Sequence, residues 1–382
     1  MKRIIFPLSL AVIIGCLFAC NAGSSLERQA NEKMNEIMKA QNAVGLSVAV
    51  VKNSKLVYVG SFGYKNLEDS TFISMDDIFR IASISKSFTA TAVMQLHEQG
   101  KFDLDDDVSD ALGMMIRNPN YPDIPVTYRM LLTHTSSLND TMGYFTFNVI
   151  DQTVNNDYWR SYNSYAPGTE YEYCNLGFNM LGALVEIHSG ERFDTYIDHH
   201  IVKPLNMNAG FNVHAFDAKQ FVTLYEFVDG KPVASPNAYV GRAVENENYI
   251  MGRTTTMFSP TGGMKIAPKD LSKHILVQIN GGTYNGIQIL KPESVVAMQT
   301  PHEDNNYGFA IRTTDKLIEG EMLKGHTGDA YGLYSAMFFS PEKKFGFIVI
   351  TNGYPVKINE NGLLTIHADA INALYDIFIK DH

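Results

Sequence analysis

Cysteine is scarce. The 382-residue chain carries three, Cys16, Cys20 and Cys174. The first two fall in an apolar leader, which leaves Cys174 alone and excludes an intramolecular disulfide in the folded part. A core of this size needs no such staple, and a lone cysteine of this kind reads as a small buried apolar residue. Positive charge is also short. Lys and Arg total 31 against 41 Asp and Glu, a net charge of −10, with no basic stripe. That excludes the electrostatic footprint of a nucleic-acid binder. Metal-ligand spacing is missing too. His188, Glu191, Asp194, Asp198, His199 and His200 lack the His-Glu-x-x-His pattern that puts two ligands on one helix face. The acidic run Asp103 to Asp107 resembles a calcium loop only briefly. Val108 stands where the sixth-position glycine belongs, and Met114 where the twelfth-position glutamate belongs. Neither a metal nor an organic cofactor is implied. Repeats and low-complexity tracts are absent. What is present is 45% hydrophobic and 19% charged residues, a composition for one large domain or two closely packed ones.

Lys2 and Arg3 precede an apolar stretch from Ile4 to Ala19 that is too short for a full membrane span. It ends Leu17-Phe18-Ala19-Cys20, which resembles the bacterial lipobox. The resemblance implies a lipoprotein signal at 1–19, cleavage before Cys20 and lipid on its thiol. The expected product is an exported bacterial lipoprotein, anchored to a membrane and facing the periplasm or the outer-membrane surface. Residues 20–25 read as a small polar tether. Cleavage takes two cations and no acid from the net charge of −10, giving −12.

Leu26 to Gln41 then predict a helix with Ala30, Met34, Ile37 and Met38 on one stripe. Gly45 to Val51 and Leu56 to Phe62 predict a hairpin across Lys52-Asn53-Ser54-Lys55. From 101 to 260 the pattern is helices and long loops, with aromatics crowded at 144–165 and 211–249. Such aromatics line a ligand cleft or form a minor core under the loops. Gly332 to Ser340 and Phe345 to Thr351 predict a second hairpin, and Thr365 to Lys380 a closing helix. Residues 26–100 and 261–382 therefore form an α/β part, an α+β arrangement with one antiparallel sheet flanked by helices. The helical segment 101–260 is inserted between its halves.

Chemistry enters at Arg80-Ile81-Ala82-Ser83-Ile84-Ser85-Lys86. Positions i and i+3 share a helix face, so Ser83 and Lys86 stand side by side where an exposed turn opens into a helix. An adjacent amine can take the proton that makes a serine nucleophilic. Ser340-Pro341-Glu342-Lys343 repeats the spacing inside the second predicted hairpin, so spacing alone decides nothing. Two further clusters join the first: Tyr173-Cys174-Asn175 before an apolar helix, and His326-Thr327-Gly328-Asp329 before the second hairpin.

With Ser-x-x-Lys, Tyr-x-Asn and His-x-Gly in this order, the chain resembles the serine β-lactamase and penicillin-recognising family. The class C branch, with its D,D-peptidases, esterases and transesterases, is the nearer likeness. Leu131–Leu138, Pro204–Met207, Thr261–Met264 and Ile350–Gly353 match as well, and the resemblance spans about 30–380. It implies a β-lactamase/transpeptidase-like fold and an acyl-enzyme on Ser83. Lys86 and Tyr173 would share a proton beside it, Lys86 favouring the Tyr173 phenolate. Asn175 would hold Lys86 and donate to a substrate carbonyl. The amides of Ser83 and Asp329 would form the oxyanion hole. His326, Thr327 and Gly328 would complete the substrate side, and His134 would be scaffold. His326 stands where β-lactamases keep a lysine, and neutral His is a weaker anchor for an anion. An esterase, amidase, D,D-peptidase or acyltransferase is thus expected ahead of a weak β-lactamase. The rival from another class is a non-catalytic sensor on the same fold. The partners implied are a small acyl substrate and, through Cys20, a bacterial membrane.

Overall fold

The computed structural model describes residues 11–241, 248–302 and 305–380, with side chains described from residue 25 onward. Residues 1–10 of the expected signal and the Cys20 side chain lie outside that description. Helix α1, Ala11–Ala40, runs straight through 20–25, which corrects the tether reading of that segment. Within 20–25 the one strong breaker is Gly23, and one glycine costs a helix only about 1 kcal/mol. Among the described residues no helix is long and apolar enough to cross a membrane.

Seven strands form one antiparallel sheet. They are β1 (Gly45–Lys52), β2 (Lys55–Asn66), β3 (Thr71–Phe72), β4 (Arg312–Thr314), β5 (Leu323–Ala330), β6 (Leu333–Ser340) and β7 (Phe345–Thr351). Their order is β4-β5-β6-β7-β1-β2-β3. Both ends of the chain meet at the β1–β7 pair, where Leu46 faces Thr351 and Val48 faces Val349. β1 is buried on both faces, and its side chains divide by parity. Leu46, Val48 and Val50 pack with Met34 of α1 and with Ile371 and Leu374 of the closing helix. Ala49 and Val51 turn to the larger core, which the helical segment fills.

The helices that matter for the site are α2 (Ser85–Glu98), α3 (Asn175–Ser189), α4 (Pro268–Ile279) and α5 (Thr365–Phe378). α2 buries Phe88, Ala92 and Leu96, spaced four apart along one face. Together α2 and α3 form the centre of the larger core. The segment 101–260 is not purely helix and loop. It also holds the hairpin Tyr225–Val228/Lys231–Ala234, and Ala209–Gly210 pairs with Lys265–Ile266. Several of its aromatics are core: Phe147, Tyr162, Phe211 and Tyr225 are buried, whereas Phe145 and Trp159 are exposed. The second Ser-x-x-Lys spacing is a hairpin connection. Lys343 there donates to Glu321 at 2.7 Å.

Candidate active site

The central turn is made by a strand that stops short. Phe79–Arg80 pairs with Lys265–Ile266. The chain then passes through Ala82 at φ +46° into a 3-10 turn, Ala82–Ile84, just ahead of α2. A left-handed alanine costs about 1 kcal/mol and persists only where its neighbours impose it. They do so here. Ile81 N donates to the Met264 carbonyl at 3.0 Å, Met264 N donates to Ser85 Oγ at 3.0 Å, and Arg80 Nε donates to the Gly262 carbonyl at 2.9 Å. Ser83 therefore sits in a 3-10 turn rather than on the first turn of α2. Lys86, one step inside the helix, still donates to Ser83 Oγ at 3.1 Å.

Lys86 is fully buried. Besides Ser83 it donates to Asn175 Oδ1 at 2.8 Å and to the Thr261 carbonyl at 2.9 Å. Loss of water pushes its pKa down to about 7, against the opposing pull of Asp140. Its neutral form is thus accessible at physiological pH, hydrogen-bonded to a serine whose proton it could take. Its nitrogen also lies 4.7 Å from the centre of the Tyr173 ring. Burial pushes the Tyr173 hydroxyl up, well above the ordinary phenol range. This overturns the expectation of a phenolate. Desolvation penalises charge on either group; it keeps the phenol neutral and leaves the lysine able to hold or release its proton near pH 7. The Tyr173 hydroxyl has no close hydrogen-bond partner and interacts at longer range with Ser83.

β5 brings the third motif to the same place. A methyl added to Gly328 would stand 2.3 Å from the Ile81 carbonyl oxygen and 3.0 Å from the Ser83 amide nitrogen. Only glycine lets this strand lie against the turn. Beyond Gly325, which pairs with Arg312, the outer edge of β5 is open. The Gly328 carbonyl is turned towards Ser335 of β6. By strand alternation the N–H groups of Thr327 and Asp329 then face the open edge. The Asp329 amide on that edge is the candidate second oxyanion donor. The Thr327 and Asp329 side chains are exposed.

His326 is buried and looks inwards. Its Nε2 meets the Tyr307 hydroxyl at 2.8 Å, and its Nδ1 the Thr327 carbonyl at 2.5 Å. Burial pushes its pKa down to about 3, so it offers no charge to a substrate anion. Its ring lies 6.2 Å from that of Tyr173. His134 is also buried. It accepts from Cys174 N at 3.1 Å and packs 4.4 Å from the Tyr173 ring. Its place is structural support for Tyr173, as the sequence reading has it.

Sequence reasoning missed several members of this site. Asp140 accepts from Asn175 N at 2.8 Å and from Asn175 Nδ2 at 2.9 Å. The Thr261 hydroxyl donates to Asn175 Oδ1 at 2.6 Å. Tyr307 anchors His326 from a position 19 residues away. Arg312 is exposed on β4 and interacts with Tyr171, Tyr173 and His326. Asp140 stands two residues after the matched stretch ending at Leu138, and that proximity was the only available signal.

An amine touching a serine, a glycine strand laid against that serine's amide and a buried phenol are groups that acyl transfer can use. A family model described as Beta-lactamase matches residues 30–367. The chain belongs to the beta-lactamase family. Protein flp of Staphylococcus aureus (strain MRSA252) is 24% identical over 314 residues, which cover 81% of this chain and 59% of that protein. Penicillin-binding protein 4* of Bacillus subtilis (strain 168) is 30% identical over 173 residues, 42% of this chain and 36% of the relative. The chain thus spans about three-fifths of the first of these curated relatives and less of the second. Among solved structures, the octameric penicillin-binding protein homologue from Pyrococcus abyssi has a TM-score of 0.68 at 26% identity. That match covers 89% of this chain and 74% of the homologue. The D-amino acid amidase from Ochrobactrum anthropi SV3 has a TM-score of 0.70 at 20% identity, covering 92% and 98%. This member of the beta-lactamase family has the β-lactamase/transpeptidase fold, with the α/β architecture expected from its sequence.

Proposed function

We propose that this protein is an exported serine hydrolase that acylates Ser83 and acts on small esters or amides. The carrying observation is Lys86, fully buried, hydrogen-bonded to Ser83 and pushed by burial to a pKa of about 7. Lys86 Nζ takes the Ser83 proton as Oγ bonds to the acyl carbon. The oxyanion of the tetrahedral intermediate lies between the Ser83 and Asp329 amides. As the acyl–heteroatom bond breaks, the leaving group takes the proton back, with the Tyr173 hydroxyl as relay. Water then repeats the sequence on the acyl-enzyme and frees the acid.

The substrate side is open along β5. A cavity of about 230 Å³ borders Thr327 and Asp329 and is lined by Arg312, Leu317, Leu363 and Leu364. Arg312, an exposed cation that acts on Tyr171 and Tyr173, suits a substrate carboxylate, such as that of a peptide or amino-acid derivative. The names of the penicillin-binding and amidase relatives point the same way. In a second reading an alcohol replaces water at the acyl-enzyme and the enzyme is an acyltransferase. β-Lactam turnover would be slow, because His326 brings no cation. A purely sensory role leaves a buried lysine with a desolvation cost and no use.

Intact mass after fluorophosphonate treatment tests the main reading. One adduct on the wild type and none on Ser83→Ala supports it; no adduct on either overturns it. Supplying an acyl ester with an apolar alcohol separates the two acceptors: an acylated alcohol supports transfer, and free acid alone supports hydrolysis. The export reading rests on the leader and Cys20. It expects the full-length protein in the membrane fraction and C20S in the soluble periplasmic fraction. Equal partition of the two would overturn it.

A further inference from the structure

We infer that Asp140 is a positioning residue, fixing the amide of Asn175 so that Asn175 holds the Lys86 nitrogen against Ser83. The inference rests on the acyl-enzyme reading above. Its basis is hydrogen-bond direction. An ionised carboxylate only accepts. Asp140 Oδ2 takes Asn175 N at 2.8 Å and Asn175 Nδ2 at 2.9 Å, while Oδ1 takes Leu176 N at 3.0 Å and Cys174 Sγ at 3.4 Å. The amide nitrogen of Asn175 must therefore face Asp140, and its oxygen must face the other way. That oxygen meets two donors, Lys86 Nζ at 2.8 Å and Thr261 Oγ1 at 2.6 Å. Reversing the amide would set an NH₂ against an ammonium on one side and leave two acceptors face to face on the other. Asp140 removes that alternative. It also engages one of the two N–H bonds of Asn175, so at most one is free for a substrate carbonyl.

The same carboxylate closes the start of α3. Cys174, at the cap position, makes no side-chain capping bond, and the two amides bound by Asp140 belong to the first helical turn. A cap that arrives from a loop 35 residues upstream ties the helix start to the segment after Leu138. Helix support and active-site positioning are thus combined in one side chain, and the test has to separate them.

The groups facing Lys86 are the Ser83 hydroxyl, the Thr261 carbonyl, the Asn175 amide, the Tyr173 ring, Cys174 and Asp140. His134 and His326 stand behind them, both pushed down by burial, while burial pushes the Cys174 thiol up and so favours its neutral form. Asp140 is the full negative charge acting on Lys86 among these described groups. Removing it makes the ammonium harder to keep.

The test follows the rate of fluorophosphonate labelling of Ser83 against pH, by intact mass, on the full chain. Thermal melting confirms that each variant is folded. D140N should label about ten- to a hundredfold more slowly at its plateau, the scale of a misplaced catalytic group. Its acid limb should move down by about half a unit to one unit, because an opposing charge is gone. D140E keeps two acceptor-only oxygens and should keep the wild-type limb. Adding D140N to N175A should slow labelling little further than N175A alone. A folded D140N with the wild-type rate and limb overturns the inference, as does a D140N penalty that persists in full on the N175A background. If the wild type does not label at all, the acyl-enzyme reading fails instead, so the two failures are distinct.

Discussion

Replacing Lys86 by methionine should abolish acylation and stabilise the fold. The ammonium ordinarily ionises near 10.5; burial against Ser83, Asn175 and Thr261 takes it down to about 7. That gap of about 3.5 units corresponds to roughly 5 kcal/mol by which folding disfavours the charged form relative to the neutral one. The folded pKa lies below the unfolded one, so between pH 7 and 10.5 the unfolded chain binds the extra proton. Stability due to this group therefore rises with pH across that window and is at its lowest below pH 7. Methionine has similar reach and no charge, so K86M should exceed the wild type most at pH 6. The margin should shrink by about 2 kcal/mol between pH 7 and pH 9. Above pH 10 the comparison loses clarity, because buried tyrosines such as Tyr173 begin to ionise in the unfolded chain. Urea melts of both proteins at pH 6, 7, 8 and 9 give the margin directly. The same pKa sets the kinetics. If neutral Lys86 is the base, wild-type acylation should fall about 90-fold from pH 8 to pH 5 with a midpoint near 7. A margin that is flat with pH, together with an acid limb far from 7, would refute a desolvated lysine as the base.

Gly328→Ala should cost at least about a hundredfold in acylation, since the new methyl meets the Ile81 carbonyl at 2.3 Å and crowds the Ser83 amide. The check is single-turnover acylation beside a melting curve, because backbone has to shift for the methyl to fit. Arg312→Ala should raise KM about tenfold for substrates with a carboxylate and leave neutral esters nearly unchanged, since Arg312 is an exposed cation bordering the cavity beside Thr327. Equal effects on both substrate types would remove Arg312 from recognition.

Ser83, Lys86, Tyr173 and Asn175 were legible because their chemistry is carried by residue type and short spacing. The sheet strands were legible because β1, β2, β6 and β7 are dense in Val, Ile and Phe, and the core side chains of α2 and α5 recur at helical intervals. The limits of that reading are equally concrete. Ser83 lies in a 3-10 turn because Ala82 is forced left-handed by the 262–264 segment, a contact that no local pattern encodes. Tyr307 carries no motif of its own, and Thr261 opens a matched stretch that says nothing of its hydroxyl; their roles arise from the side chains they meet.

The sequence by itself determined which groups can react and that strands from both ends of the chain build one sheet, since periodicity and side-chain chemistry are local properties. Only the tertiary structure decided their charge states. Whether lysine or tyrosine gives up its proton depends on how much water each retains, and that depends on what distant segments pack over them. Burial keeps the phenol neutral and brings the amine down to about 7. The same packing placed Asp140 on Asn175, where a carboxylate from the loop after Leu138 orients the amide beside Lys86.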